Sequence, residues 1–269
     1  MKKQVADRAS QARMRNWVSS ASAIAASLAL TGCINLGGGF SGVPLDEIDT
    51  GSSAPVEFAL AGPDDVFLTV GEQLDIQVEG DEAVLADLRF KLDGDTLGVG
   101  RESDWMDSKG KAIIRVTMPA PRSLSLAGSG DIDSETLASD AEISVAGSGK
   151  VTIATVAADD LDVSVAGSGS LTASGTARSL DISIAGSGDI NFANLKVDDA
   201  EISIAGSGDV ELASDGRVEA SIAGSGDVRV AGNATCQSSA MGSGTVTCRP
   251  SAQTAEATQT AGEEAASTE

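Results

Sequence analysis

The tetrapeptide Ala-Gly-Ser-Gly begins at Ala127, Ala146, Ala166, Ala185, Ala205 and Ala223, and a degenerate copy, Met-Gly-Ser-Gly, begins at Met241. Successive starts lie 19, 20, 19, 20, 18 and 18 residues apart. A repeat of this length is one supersecondary unit that cannot bury an apolar face alone and must stack on its neighbours. Alternating runs precede the middle copies: Ile143-Ser144-Val145, Val163-Ser164-Val165, Ile182-Ser183-Ile184 and Ile202-Ser203-Ile204. A period of two with β-branched residues means strand, with Ile and Val facing in and Ser facing out. A second short strand follows each glycine turn, with Ile132, Val151, Leu171, Ile190, Val210, Val228 and Val246 as its inward residues. Two strands and two turns per copy, stacked in parallel at about 4.8 Å, predict an all-β parallel β-solenoid of seven recognisable coils. The drift of the spacing between 18 and 20, against a strict hexapeptide rhythm, favours a right-handed coil with variable loops.

Residues 56–121 lack the tetrapeptide yet read as β, with strands expected at Val56–Leu60, Val66–Val70, Leu74–Val78, Leu88–Leu92, Thr96–Val99 and Ile113–Thr117. Asp93-Gly94 is a turn signal, and a short helical turn fits Asp81–Ala86. This stretch is expected to form the first, less regular coils and to protect the N-terminal edge, where unpaired strand groups invite other chains.

The two ends of the chain have their own character. Lys2, Lys3, Arg8, Arg13 and Arg15 make a basic start, and an alanine-rich apolar stretch runs from Trp17 to Leu30. It is too short and too interrupted by serine for a comfortable membrane span and reads as a secretory signal. The signal ends Leu30-Thr31-Gly32-Cys33, which resembles a bacterial lipobox. That resemblance implies cleavage after residue 32 and a lipid on Cys33, so that the mature chain is held to the membrane by several acyl chains. Ile34 after the cysteine, in place of an aspartate, favours the outer membrane by the same resemblance. Residues 33–55, with Gly37-Gly38-Gly39, read as a flexible tether; about 20 such residues reach ~25 Å. Residues 250–269 hold too little apolar surface to offset ordering and read as a disordered acidic tail.

Further motifs carry a resemblance over residues 56–249. Gly62-Pro63 leads into Val66-Phe67-Leu68-Thr69-Val70-Gly71, followed by Val78-Glu79-Gly80-Asp81 and Asp93-Gly94-Asp95-Thr96-Leu97. Met118-Pro119 leads into Leu124-Ser125-Leu126-Ala127-Gly128-Ser129-Gly130-Asp131-Ile132, and Gly188-Asp189-Ile190-Asn191 repeats its end. Together these resemble the autotransporter-adhesin head GIN domain family of bacterial envelope proteins. The resemblance implies a β-helical fold and an envelope location, and it carries no catalytic residue.

Composition narrows the functional classes. The 269 residues include 40 acidic and 18 basic side chains, a net charge of −22, and no histidine, which removes the commonest general base and metal ligand. The acidic balance excludes charge-driven binding to nucleic acid. Aromatics make up 3%, leaving few stacking platforms for bases or sugars.

Three groups of residues are candidate sites. Asp131, Asp189, Asp209 and Asp227 follow the glycine turn, but their order and spacing do not match a calcium-binding nonapeptide repeat, and they read as turn caps. Glu142, Asp162, Asp181, Glu201 and Glu219 each stand four residues before the tetrapeptide's first residue and should ladder up one outward face. Such a column serves as a solvated face against aggregation or, alternatively, as a surface for divalent cations or a cationic ligand. Cys236 and Cys248 fall at inward positions of the last coil, where earlier coils have Leu, Val, Ile and Phe, and in an oxidising compartment they read as a structural disulfide. No cofactor is implied, and nothing selects a catalytic carboxylate pair of the kind a polysaccharide-acting β-helix enzyme needs. The sequence therefore points to a non-enzymatic, membrane-anchored envelope protein presenting a surface for adhesion or another envelope ligand. A purely structural envelope lipoprotein with no specific ligand is the alternative.

Overall fold

The computed structural model describes residues 40–48, 50–51, 54–102 and 110–249. Cys33, the signal, residues 34–39 of the expected tether, Trp105 and the tail lie outside the described residues. The described part of the 33–55 stretch is not a free tether, because Phe40 is buried and Val43 pairs with Phe90. What is described is a parallel β-solenoid whose core is one continuous column of Ile, Val, Leu and Phe.

The regular part comprises β7 (Ser123–Gly128), β8 (Asp131–Thr136), β9 (Asp140–Gly147), β10 (Lys150–Gly167), β11 (Ser170–Gly186), β12 (Asp189–Gly206), β13 (Val210–Gly224), β14 (Asp227–Ala231), β15 (Thr235–Gly242) and β16 (Thr245–Arg249). The long strands bend at corners, so a coil has three parallel segments and not the two that the alternation predicts. The extra one is seen where Val156, Ala157 and Ala158 pair with Gly175, Thr176 and Ala177. In two coils its side chains are short and mixed, as in Ala157-Ala158 and Thr176-Ala177, whereas Leu195-Lys196-Val197 alternates buried, exposed, buried. Drift in the repeat length is absorbed around this third segment: register shifts fall before it, between Ile153 and Val156, Thr172 and Ser174, and Phe192 and Lys196, and once after it, between Val197 and Asp199. The segment ending in the tetrapeptide, here the first face, keeps strict register from coil to coil.

Glycine fixes the tetrapeptide corner. Gly206 has φ +142°, and a Cβ there would lie 1.9 Å from the carbonyl oxygen of Gly186 in the coil below. That oxygen also accepts the Ser207 N–H at 2.8 Å. The corner thus needs both a backbone that side chains rarely adopt and an approach that no Cβ permits.

The first half of the chain contains β1 (Glu57–Gly62), β2 (Asp65–Val70), β3 (Asp75–Glu79), helix α1 (Glu82–Asp87), β4 (Leu88–Asp93), β5 (Thr96–Arg101) and β6 (Ile113–Met118). The expected strands and helical turn are present within two residues at each end. Their stacking order is not the chain order. β1 lies between β5 and β7, and β2 between β6 and β8, so the first coil in sequence is the second in space. From β1 and β2 at that level the chain descends through the cap, forms the bottom coil and then passes upward to β7.

The cap itself is antiparallel: β4 runs against β5, and β3 against β6. Val84 of α1 is buried against it. Phe40 covers Gly98 and Gly100, where added side chains would collide with its ring, and Val43 bridges Phe90 through paired 2.8 Å backbone hydrogen bonds. The N-terminal end of the core is closed, as the sequence leads one to expect, but by reversed strands and not by irregular coils alone.

Candidate functional site: the first face

Strict register on the first face converts the repeat into three outward columns. Ser125, Ser144, Ser164, Ser183, Ser203, Ser221 and Ser239 form one, and the alanines that open each tetrapeptide, ending in Met241, form another. In the third, Glu142 pairs with Asp162, Asp162 with Asp181, Asp181 with Glu201, and Glu201 with Glu219. All five predicted carboxylates therefore stand in a single ladder at strand spacing, about 4.8 Å per step. Four of them are exposed and Glu142 is half-buried.

Like charges held directly opposite one another are unfavourable. The effect is visible at Asp181 in the middle of the ladder. Its pKa is raised above the ordinary aspartate value, first by partial burial and then by the charges of Glu201 and Asp162. None of the five forms an ion pair among the described residues, although nearby carboxylates do. At the adjacent corner Arg178 bridges Asp159 and Asp160 at 3.5 and 3.0 Å, and Lys196 meets Asp215 at 2.8 Å. The scarce cations thus neutralise the corner and leave the ladder unpaired. Among the described residues no three metal-ligating side chains converge in a metal-like cluster.

The aspartates after the glycine turn do different work. Each cap reaches one coil upward and not into its own turn. Asp131 accepts the Lys150 N–H at 3.1 Å, Asp189 that of Asp209 at 3.3 Å, Asp209 that of Asp227 at 2.8 Å, and Asp227 that of Thr245 at 3.1 Å. The Thr245 hydroxyl also donates to Asp227 at 2.7 Å, and these two hydrogen bonds hold the Asp227 carboxyl below its usual range. They are clamps between coils.

Cys236 and Cys248 are disulfide-bonded, with Cα atoms 6.7 Å apart. They pair in register with Val218 and Val230, both buried, which places them at the inward positions read from the sequence. Ser238 and Ala240 continue the inward column above Ala220 and Ile222.

One buried charged site is absent from the sequence reading. Asp64 is fully buried and Arg101 is 2% exposed. Arg101 Nε donates to Asp64 Oδ2 at 3.0 Å, its Nη2 donates to Oδ1 and to the Gly110 carbonyl, and the Ala112 N–H donates to Oδ1 at 2.7 Å. Asp64 stands where other coils carry the tetrapeptide's second glycine, since Ala61-Gly62-Pro63-Asp64 stacks directly beneath Ala127-Gly128-Ser129-Gly130. The missing glycine in that alignment is the signal that would have found it. The pair ties β5 and β6 of the bottom coil to the corner between β1 and β2. The hydrogen bonding of Arg101 to the Asp64 carboxylate dominates the upward shift of the Arg101 pKa.

What this geometry defines is a repeat solenoid that displays a flat, regular surface edged by unpaired carboxylates. The chain belongs to the family described as putative auto-transporter adhesin, head GIN domain, which matches residues 56–234. Solved structures share the fold. A protein from Bacteroides fragilis described as a putative adhesin is 24% identical, with a TM-score of 0.67 over 73% of this chain and 93% of that one. A putative lipid binding protein from Parabacteroides distasonis is 23% identical, with a TM-score of 0.59 and coverage of 73% and 93%. A putative adhesin from Parabacteroides merdae is 20% identical, with a TM-score of 0.53 and coverage of 75% and 93%. No curated protein matches the sequence.

Proposed function

We propose that this chain is an outer-membrane lipoprotein, anchored through Cys33, that binds a ligand at the cell envelope through its first face and catalyses no reaction. The observation that carries the reading is the unpaired ladder of Glu142, Asp162, Asp181, Glu201 and Glu219 beside a flat Ser and Ala surface held in register over seven coils. A ligand with cationic groups, or an anionic one bridged by divalent cations, relieves the repulsion from Glu201 and Asp162 that adds to the burial raising the Asp181 pKa. Membership of an adhesin-named family and the lipobox-like Leu30-Thr31-Gly32-Cys33 support an envelope setting.

The test has two arms. A Cys33→Ala variant should lose palmitate labelling and shift out of the membrane fraction; unchanged labelling removes the anchor. A variant with Asp162, Asp181 and Glu201 changed to Asn, Asn and Gln should lose retention on immobilised envelope polymers or host glycans that hold the native protein. Equal retention removes the ladder from the binding surface. If no such polymer retains the native protein, and protease shaving of intact cells does not release the domain, a structural role replaces adhesion.

A further inference from the structure

The two ends of the solenoid are treated in opposite ways. At the N-terminal end β3, β4, α1 and Phe40 cover the core, and the outermost strands carry charge: Asp75 and Glu79 on β3, and Arg89, Lys91 and Asp93 on β4. At the C-terminal end β15 pairs only with β13 and β16 only with β14, so among the described residues one edge of each strand has no neighbour. Ser238 and Ala240, inward by register, are exposed, and Met241 is 76% exposed.

Open edges of this kind are usually blunted by charge. Here the charge has been removed. Residues 231–248 contain no Asp, Glu, Lys or Arg, whereas residues 213–230, the coil before, carry Asp215, Arg217, Glu219, Asp227 and Arg229. The exchange follows the columns: Arg217 gives way to Thr235, Glu219 to Gln237, Asp227 to Thr245 and Arg229 to Thr247. Only Arg249, paired with Ala231 at the end of β16, keeps a charge, so in a chain of net charge −22 the described end coil is a surface where a second copy meets no carboxylate. The disulfide between Cys236 and Cys248 holds that surface together.

We propose that the C-terminal coil is a self-association surface, at which two copies stack end to end about a two-fold axis perpendicular to the solenoid. The axis passes through the first face near Ser239, so β15 of each copy runs antiparallel to β15 of the other. Ser239 then faces its own mate, and Gln237 of each copy faces Met241 of the partner subunit. Pairing of this parity keeps inward residues inward: Ser238 and Ala240 meet across the axis and the core runs on through the joint. The contact is isologous and the N-terminal ends are capped, so association stops at two and does not grow into a fibre. The pair holds its two Phe40 ends furthest apart. Neither the anchor nor the first-face ligand is needed for the pairing, so the failure of those proposals leaves this one standing.

The test is native mass spectrometry of the full chain. The native protein should be a dimer whose fraction falls on dilution. Ser239→Glu and Ser239→Lys each place identical charges opposite one another at the axis, and each should lose the dimer; Ser144→Glu, in the same column of an inner coil, should keep it. Mixing S239E with S239K should restore a heterodimer, which a misfolded variant cannot do. A native protein that is monomeric at every concentration, as when another segment of its own chain or another protein covers the end, overturns the proposal. So does a dimer indifferent to both variants, or a loss that mixing does not reverse.

Discussion

The stacked tetrapeptide corner should be among the least tolerant positions in the chain, and Gly206→Ala tests it. The new Cβ would lie 1.9 Å from Gly186 O and 2.8 Å from Gly186 C, against the roughly 3.3 Å of an ordinary carbon–oxygen approach. The two coils must therefore part locally by more than ~1 Å. The 2.8 Å hydrogen bond from Ser207 N to Gly186 O lies in that gap and would stretch beyond hydrogen-bonding range. Three costs accumulate: about 1–2 kcal/mol for an alanine at φ +142°, about 1–3 for overpacking, and about 1 for the lost hydrogen bond. The expected destabilisation is about 3–6 kcal/mol, a large share of what a domain this size possesses.

Gly94 supplies the control, because its φ is +61° but nothing lies within 4 Å of an added Cβ. Gly94→Ala should cost only the backbone penalty, about 1 kcal/mol, and Gly94→Asn less. Urea unfolding followed by circular dichroism reads both, and the comparison holds if the m-value stays constant. If Gly206→Ala costs no more than Gly94→Ala, the close approach of the coils is wrong and the glycines serve the backbone conformation alone.

Arg101→Met leaves Asp64 buried without its cation and should cost about 3–5 kcal/mol, whereas the double variant Asp64→Gly with Arg101→Met restores the corner found in other coils and should recover part of that loss in the same urea assay; a single-variant cost below about 1 kcal/mol would refute the tie. Reducing the Cys236–Cys248 bridge removes about 3 kcal/mol of chain-entropy stabilisation, and hydrogen exchange should then quicken in β15 and β16 before the middle coils; uniform quickening of all coils would count against a local clamp. Asp181 has a folded-state pKa above its unfolded value, so the folded protein binds the extra proton and stability falls as pH rises from the ordinary aspartate value through the raised one. Asp181→Asn should accordingly stabilise at neutral pH, and the gain should fade as pH drops through that window; a gain independent of pH would mean that packing and not charge is responsible.

How much of this was legible in the sequence depends on whether a residue acts along the repeat or across it. Position in a column is a matter of counting. The outward placement of Glu142 and its four companions, and the inward placement of Cys236 and Cys248, follow from the offset to the tetrapeptide and the parity of a strand, and the structure keeps both. Partner identity one coil away is not so readable. Asp209 looks like the cap of its own turn, and only stacking shows that it accepts from Asp227 above. The third segment was hard to read in two coils because Ala157-Ala158 and Thr176-Ala177 present little contrast between faces; Leu195-Lys196-Val197, with both apolar residues buried, is the one stretch whose alternation carried the signal.

The least legible feature is the order of the lower coils, and there the physical reason is an exchange between local and global signals. Strand propensity and turn chemistry locate β1 to β6 because they act over a few residues. Nothing local tells that β1 is sandwiched between β5 and β7, since a parallel strand accepts a neighbour equally well on either edge. The buried ion pair favours the observed order. Asp64 sits at the corner of one coil and finds its cation on Arg101 at the end of β5 and its backbone donor at Ala112, next to β6. An uncompensated carboxylate there would be prohibitively costly, so any stacking order that parts it from Arg101 is disfavoured far more strongly than a rearrangement of Ile and Val would be. Hydrophobic repeats make the solenoid, but they are nearly degenerate among orders. The departure from the repeat at Asp64 weights the balance toward one of them.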